Sequence, residues 1–336
     1  MRPFLYQRPG DLADAVDRAS QGPSRAPPTM AGTQYLAGGT TILDLMKLDV
    51  MRPEVLVDIN RVDPAGLRIE QRPDGFYLGA FVTMAQAGDH PEIKQNYPVI
   101  AQSLDLAASP QLRNMATLGG NVLQRTRCAY FRDPSWGACN KREPGSGCAA
   151  LDGVNRKHAV LGVSDNCIAA YPGDFAQALV ALGAAVEIVG SGGARVMPFE
   201  ALHREPGDTP HIETNLALGE IILGFRLPVA PWTRRSLYLK IRDRQSYEFA
   251  LTSAAIALDL AGSVVNEARI ALGGVATRPW RAREAEAVLN GGKFDEAAAQ
   301  RAADAAFAGA RRGATTNTSA SSANGRWFAR SCKPRN

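Results

Sequence analysis

The sequence contains no long apolar run and no leader-like beginning. None of its hydrophobic stretches reaches the roughly 18 residues that a helix needs to cross a bilayer. Residues 1–6 include neither a long apolar region nor a small-residue cleavage site. These two absences predict a chain without a membrane span and without a signal peptide of its own.

Groups suited to acid–base catalysis are also scarce. The chain has only four histidines, His90, His158, His203 and His211, and none of them lies beside a glycine-rich turn. It shows no serine, histidine and aspartate set and no carboxylate pair of the kind that supports hydrolysis. We therefore expect no catalytic residue and no covalent histidyl link to a cofactor. The chain is predicted to work through binding and electron transfer rather than through proton transfer.

Charge and composition limit the class of protein further. The chain has 336 residues, 45% of them hydrophobic, which is enough for two or three domains with cores of their own. The net charge of +5 is mild and the basic residues are spread along the chain, so nucleic acid is not expected as a partner. A solvated basic surface, or a docking face for an acidic partner, explains the surplus of positive charge better.

Two glycine turns stand between apolar stretches typical of a strand and of a helix. They read Leu36-Ala37-Gly38-Gly39-Thr40-Thr41 and Ala116-Thr117-Leu118-Gly119-Gly120-Asn121. Paired glycines let a backbone approach a diphosphate, and the helix that follows offers free N–H groups. Neither turn has the third glycine of the dinucleotide fingerprint or the lysine of a P-loop. Each alone fits a simple tight turn, whereas two of them together favour a phosphate-bearing cofactor.

Four of the five cysteines fall in one window, and none of them forms a Cys-x-x-Cys pair. They are Cys128, Cys139, Cys148 and Cys167, with ten, eight and eighteen residues between them. An odd, clustered set argues against an extracellular disulfide framework. The spacing fits neither a zinc ribbon nor a bacterial ferredoxin run. The residues alone therefore leave a metal site, inert thiols and a disulfide open.

The surroundings of these cysteines favour the metal site. The window is a long loop rich in proline and glycine, and such a loop needs a cross-link, such as a bound metal, to become ordered. Its basic residues are Arg125, Arg127, Arg132, Lys141 and Arg142. They either offset the negative charge of metal-bound thiolates or form an exposed basic face.

The two glycine turns, together with Asp174 in Pro172-Gly173-Asp174-Phe175, resemble the FAD-binding subunits of the molybdenum hydroxylases, the family of xanthine dehydrogenase, aldehyde oxidoreductase and carbon monoxide dehydrogenase. The resemblance covers roughly residues 1–290. It implies an α+β fold: a two-subdomain FAD-binding fold of the vanillyl-alcohol-oxidase/PCMH type, followed by a small C-terminal α+β domain. The implied domains are residues 1–60, 61–228 with an insertion at 124–167, and 232–312. Residues 313–336, with Cys332, are expected to form an irregular tail.

The resemblance also implies a set of FAD contacts. The pyrophosphate is expected to be wrapped by Gln34, Tyr35, Leu36, Ala37, Gly38, Gly39, Thr40, Thr41 and Ile42. Thr117, Gly119, Gly120 and Asn121 are expected to hold the pyrophosphate and ribityl region. Asp174 would accept hydrogen bonds from ribityl or ribose hydroxyls, Ile222 would lie beside the isoalloxazine, and Lys240 would stabilise the reduced, anionic flavin. The alternatives are that Asp174 only caps the helix after it and that Lys240 is a solvated strand lysine.

The cysteine window narrows the resemblance to one subgroup. The segments around Cys128, Cys139, Cys148 and Cys167 look like those of the bacterial periplasmic-type aldehyde oxidoreductases. In that subgroup the insertion holds a [4Fe–4S] cluster on its four cysteines, which implies the same ligands here.

The implied function is that of an electron-transfer subunit. A large subunit with the molybdenum cofactor would oxidise an aldehyde, and a small subunit with [2Fe–2S] clusters would pass electrons to FAD in this chain, in an αβγ assembly that delivers them to an external acceptor. Co-export with a signal-bearing partner implies the periplasm, and the cytoplasm is the alternative. A subunit of another molybdenum hydroxylase, a self-sufficient flavin oxidase and a zinc-stabilised scaffold are the competing functions.

Overall fold

The computed structural model describes residues 1–21 and 27–311, and they form a mixed α+β fold, as predicted. The helices are α1 (Leu12–Ser20), α2 (Ile42–Lys47), α3 (Met84–Asp89), α4 (Pro91–Asn96), α5 (Pro98–Asp105), α6 (Pro110–Arg113), α7 (Leu118–Val122), α8 (Ala129–Arg132), α9 (Phe175–Leu182), α10 (Arg283–Leu289) and α11 (Glu296–Ala306). The strands are β1 (Leu5–Gln7), β2 (Thr33–Leu36), β3 (Val55–Asp58), β4 (Ile69–Arg72), β5 (Gly75–Gly79), β6 (Ala185–Gly190), β7 (Gly193–Pro198), β8 (Ile221–Leu227), β9 (Ser236–Ile241), β10 (Thr252–Ala261), β11 (Val264–Gly273) and β12 (Trp280–Arg281). The expected irregular tail at 313–336 lies outside the described residues.

The N-terminal stretch forms a small parallel sheet in the order β1-β3-β2, with β1 at one edge. Helix α1 begins after Asp11 because the Asp11 carboxylate accepts a hydrogen bond from the backbone N–H of Asp14 at 2.9 Å. β2 leads through the first glycine turn into α2. That turn therefore lies at the carboxyl end of the parallel strands, which is the edge at which such sheets bind ligands.

The middle of the chain forms an antiparallel sheet in the order β4-β5-β8-β6-β7. Helix α9 is buried along its whole length and belongs to the main apolar core. It ends at Gly183, whose φ of +65° gives the left-handed cap that glycine favours. β4 and β5 form an antiparallel hairpin.

The C-terminal part forms a third, antiparallel sheet in the order β12-β11-β10-β9. The stretch 251–260, predicted only as an apolar run, becomes the long strand β10 because it pairs with strands on both sides. The alanine-rich helix α11 and helix α10 contribute to a second apolar core with residues of β10 and β11. The predicted division into three domains stays a prediction, although each sheet comes from one contiguous stretch of the chain.

The cysteine insertion at 124–167 adds one short helix, α8, and no strand of the three sheets. Two small apolar clusters hold it, one around Phe131 and Cys139 and the other around Tyr130, Ala150 and Ile168. Among residues 1–21 and 27–311, no helix combines the length and the apolar character needed to cross a membrane.

Candidate functional site

Two adjoining cavities hold nearly all of the residues that the resemblance assigns to FAD. The first is an open cleft with about 1300 Å³ of empty space, and the second has about 1030 Å³. The predicted residues in the first cavity are Gln34, Tyr35, Ala37, Gly38, Gly39, Thr40, Thr41, Ile42, Thr117, Gly119, Gly120 and Ile222. Those in the second are Thr40, Thr41, Asn121, Asp174 and Lys240. Thr40 and Thr41 belong to both, so the first glycine turn lies where the two cavities meet.

The first glycine turn has the geometry of an anion-binding loop. Gly39 has φ +76°, in the left-handed region that glycine adopts without strain. In the described part of the chain, the five backbone N–H groups from residue 38 to residue 42 have no protein acceptor. Adjacent free donors at the start of a helix bind phosphate oxygens. The residues present therefore fit the diphosphate of FAD.

Gly38 and Leu36 have structural roles in the same turn. A Cβ atom at Gly38 would overlap the backbone carbonyl of Met115, which precedes the second glycine turn. The two turns therefore touch each other through Gly38. The Cδ1 atom of Leu36 lies 3.4 Å from where a Cβ of Gly39 would stand. Leu36 lines neither cavity, and its side chain supports the turn, so its predicted contact with FAD stays a prediction.

The second glycine turn differs from the first because its donors are used inside the protein. Thr117 caps α7 by accepting the backbone N–H of Gly120 at 3.2 Å, and the N–H of Gly119 donates to the carbonyl of Ala80 at 2.8 Å. The polar atom left over is Oδ1 of Asn121, which is buried and has no hydrogen-bond partner in the described chain. Asn121 lines the second cavity, where this orphaned acceptor fits a donor of the cofactor.

Asp174 and Lys240 form a buried ion pair beside the second cavity. Lys240 Nζ lies 2.8 Å from Asp174 Oδ2, and the two side chains are 1% and 4% exposed. The hydroxyl of Tyr238 donates to Asp174 Oδ1 at 2.7 Å. Burial raises the pKa of Asp174, with the charge of Lys240 acting against the shift. The side chain of Asp174 makes no capping bond to α9, so neither structural alternative for Asp174 and Lys240 holds.

Tyr238 is a site residue that the sequence reasoning missed. It lies two positions before Lys240 on β9, and alternate residues of a strand point to the same face. That spacing was a usable signal, because a strand that directs Lys240 toward Asp174 also directs Tyr238 there, although Tyr238 itself lines neither cavity. The strand's approach to Asp174 is a long-range contact that no local pattern reports.

Ile222 and Lys240 do not meet at one ring system. Ile222 lines the first cavity and Lys240 lines the second. The expectation that both lie beside the isoalloxazine stays a prediction.

The four window cysteines are free thiols, so the disulfide alternative is wrong for them. Cys139 and Cys148 face each other across an isolated antiparallel bridge, and the Cys128 Sγ lies 3.2 Å from His158 Nε2. Burial, with a smaller contribution from the charges of Cys139 and Cys167, raises the pKa of Cys128 to about 12. Burial also raises the pKa of Cys167, with Cys148 and Cys139 adding to the effect. The four sulfurs therefore lie within electrostatic reach of one another.

These thiols are not arranged around a single ion. Among residues 1–21 and 27–311, no three histidine, cysteine, aspartate or glutamate side chains form a group that could hold a metal ion. A structural zinc requires four ligands about one centre. In this part of the chain, the arrangement of these side chains therefore supports neither the zinc of the scaffold alternative nor the expected [4Fe–4S] cluster.

Two charge networks join the cysteine insertion to the cavities. Glu213, which lines the first cavity, binds Arg125 at 3.0 Å and Lys141 at 3.1 Å. Burial alone would raise the pKa of Glu213, but the two cations outweigh it and lower the pKa to about 2. In the second network, Asp44 of α2 binds Arg127 at 3.0 Å and Arg132 at 2.8 Å. Glu213 lies in a polar loop that carried no sequence signal.

Family models match the chain in two consecutive blocks. Residues 2–230 match the FAD binding domain in molybdopterin dehydrogenase, and residues 237–319 match the CO dehydrogenase flavoprotein C-terminal domain.

Curated relatives and solved structures agree with this result. The chain is 43% identical over 293 residues to the aldehyde oxidoreductase FAD-binding subunit PaoB of Escherichia coli, with 87% of each chain covered. It is 29% identical to the carbon monoxide dehydrogenase medium chain of Afipia carboxidovorans, with 89% of this chain and 84% of that one covered. A structure of carbon monoxide dehydrogenase from Hydrogenophaga pseudoflava superposes with a TM-score of 0.69 at 26% identity, covering 93% and 89% of the chains. The chain belongs to the FAD-binding medium subunits of the molybdenum hydroxylase family of oxidoreductases.

Proposed function

We propose that this chain is the FAD- and [4Fe–4S]-binding electron-transfer subunit of a molybdenum-dependent aldehyde oxidoreductase. The assembly would convert an aldehyde and water into a carboxylic acid. The molybdenum cofactor would lie on a large subunit and [2Fe–2S] clusters on a small one, in an αβγ complex. The observation that carries the proposal is the run of five backbone N–H groups, without an acceptor in the described residues, that could hold the FAD diphosphate at the junction of two cavities. The 43% identity to an aldehyde oxidoreductase subunit supports the substrate class.

The two cavities favour one orientation of FAD. The diphosphate of a dinucleotide lies between its two halves, as the first glycine turn lies between the cavities. We place the isoalloxazine in the second cavity, because Lys240 and the orphaned Asn121 Oδ1 are there. Ile222, Tyr35 and Phe81 then face the adenosine half in the first cavity. Bound FAD supplies the redox chemistry, while Asp174 and Tyr238 hold Lys240 in place.

The cysteine insertion supports the cluster part of the proposal. It brings four free cysteines into one segment, and Cys139 faces Cys148 across an isolated bridge. A [4Fe–4S] cluster would take one thiolate at each of its four iron atoms. The charge of Lys141 acts against the rise that burial causes in the pKa of Cys167. The expected ligands are Cys128, Cys139, Cys148 and Cys167.

Spectroscopy and metal analysis of the complex test both cofactors. The chain would be purified anaerobically with its partner subunits, and its flavin and iron would be measured after the subunits are separated. We expect one FAD and four iron atoms on this chain, with the iron lost in a Cys148→Ser variant. A chain that holds flavin but no iron would remove the cluster from the proposal. Zinc without flavin would overturn the proposal entirely.

Turnover separates aldehyde oxidation from other chemistry of the family. We expect the complex to reduce an artificial acceptor with aldehydes and not with xanthine, carbon monoxide or an aromatic acyl-CoA. Activity of the isolated chain would instead favour a self-sufficient flavin oxidase. Fractionation of cells with and without the partner's export signal would tell the proposed periplasmic location from a cytoplasmic one.

A further inference from the structure

Arg127 has an unused donor at the second cavity. It lines this cavity together with Thr40, Thr41 and Lys240. Its guanidinium contacts Asp44 at 3.0 Å and lies 4.7 Å from the ring centre of Phe249. Its Nε is nevertheless buried and has no hydrogen-bond partner in the described chain. A buried, charged donor without an acceptor is costly unless a ligand provides one.

Asp44, the ion-pair partner of Arg127, also pairs with a second arginine, Arg132. Arg132 binds Asp44 through two contacts, from NH1 to Oδ2 at 2.8 Å and from NH2 to Oδ1 at 3.1 Å. Arg127 makes one contact to the same carboxylate. Two cations thus share one anion, and the group keeps one net positive charge. Arg132 does not line the second cavity, whereas Arg127 does.

Lys240 does not supply a net positive charge at the second cavity. Its ammonium pairs with Asp174 at 2.8 Å, and both side chains are buried, so the pair as a whole is neutral. Arg244, which also lines the cavity, faces Glu248 at 3.7 Å. Glu248 is also shared with Lys157 at 3.5 Å. The Asp44, Arg127 and Arg132 group is therefore one uncompensated positive charge beside the proposed flavin position, and Arg127 is its member in the cavity.

We propose that Arg127 is a further FAD-binding residue: its Nε–H donates to an oxygen of the flavin half, and its charge stabilises the reduced, anionic flavin. The inference rests on the proposed placement of the isoalloxazine in the second cavity. Two-electron reduction with uptake of one proton leaves the ring system with one negative charge, the electrons coming from the clusters of the proposed partner subunit. A cation within reach favours that state, and arginine keeps its charge at every working pH.

The test compares Arg127→Gln with Arg132→Gln in the full complex. Both variants remove one cation from Asp44, but only the first removes a group from the cavity. We expect the FAD dissociation constant of Arg127→Gln to rise about tenfold or more, as for loss of a charge-assisted hydrogen bond. Its flavin midpoint potential should become more negative. Arg132→Gln should retain FAD as the unmodified complex does, with a smaller change of potential.

The possible outcomes distinguish failure of this inference from failure of the proposed function. If Arg132→Gln weakens FAD binding as much as Arg127→Gln does, Arg127 acts only by holding the insertion, and the inference is overturned. Unchanged affinity and potential in Arg127→Gln overturn it as well. If Arg127→Gln does not assemble, Arg127→Lys replaces it, and we expect weaker FAD binding with a nearly unchanged potential. A native complex that holds FAD but oxidises no aldehyde refutes the proposed function and leaves this test intact.

Discussion

Gly38 is the residue at which the two glycine turns of the FAD site touch each other. Because a Cβ there would overlap the Met115 carbonyl, Gly38→Ala must move one glycine turn away from the other. We expect a loss of about 1–3 kcal/mol in unfolding free energy and loss of FAD during purification. Gly10→Ala is the control, because a Cβ at Gly10 meets no atom within 4 Å. Full flavin content in Gly38→Ala would contradict this account of the turn.

Glu213 makes the free energy of unfolding depend on pH in the acidic range. Its pKa is lowered from 4.5 to about 2 by Arg125 and Lys141 in spite of burial. The stabilisation is complete above pH 4.5, where the unfolded chain is also ionised, and declines as the pH falls toward 2. Glu213→Gln leaves two cations unpaired, and we expect it to cost about 3 kcal/mol at neutral pH.

Urea denaturation at a series of pH values measures this effect. The difference in stability between the native chain and Glu213→Gln should be constant above pH 5 and should shrink below pH 4. Asp14→Asn is a suitable control, because its carboxylate pairs with Arg18 on the solvent-facing side of helix α1. A difference that does not change with pH would show that the charge of Glu213 is not what stabilises the fold.

At the scale of elements, the sequence predicted which segments fold but not which of their groups stay free. Both glycine turns have the same pattern, yet the N–H of Gly119 is used by Ala80 while those of the first turn are free. The difference arises from a contact between segments distant in sequence, so no local rule could show it. Helix α1 and strand β6 were predictable, because a cap residue and apolar spacing act within a few residues.

The cysteine insertion is the element whose order should depend on iron. It has one short helix and two small apolar clusters, so a bound cluster would supply much of the constraint that orders a loop of this length. We expect Cys148→Ser, or removal of iron with a chelator, to speed hydrogen exchange in residues 129–158. The strands β10 and β11, which lie in a separate core, serve as the internal control. Equal protection with and without iron would mean that the thiols are inert.

At the scale of the whole molecule, the second cavity is assembled from all three parts of the chain. Thr40 comes from the N-terminal sheet region, Asp174 from the start of α9, and Lys240 from the C-terminal sheet. The buried pair of Asp174 and Lys240 joins the last two of these parts. The order of these segments along the chain gave no indication that they meet, because their contacts span more than sixty residues.

A double-mutant cycle on Asp174 and Lys240 tests how much their ion pair contributes to attaching the C-terminal sheet. Lys240→Met leaves the Asp174 carboxylate buried without its cation, and we expect a cost of about 3–5 kcal/mol in unfolding free energy. Asp174→Asn should cost a similar amount because the ammonium is then unpaired. The double variant should be more stable than either single variant, since no buried charge remains and Tyr238 can still donate to Asn at position 174. Additive costs would show that the two charges are not coupled and that apolar packing alone attaches the C-terminal sheet.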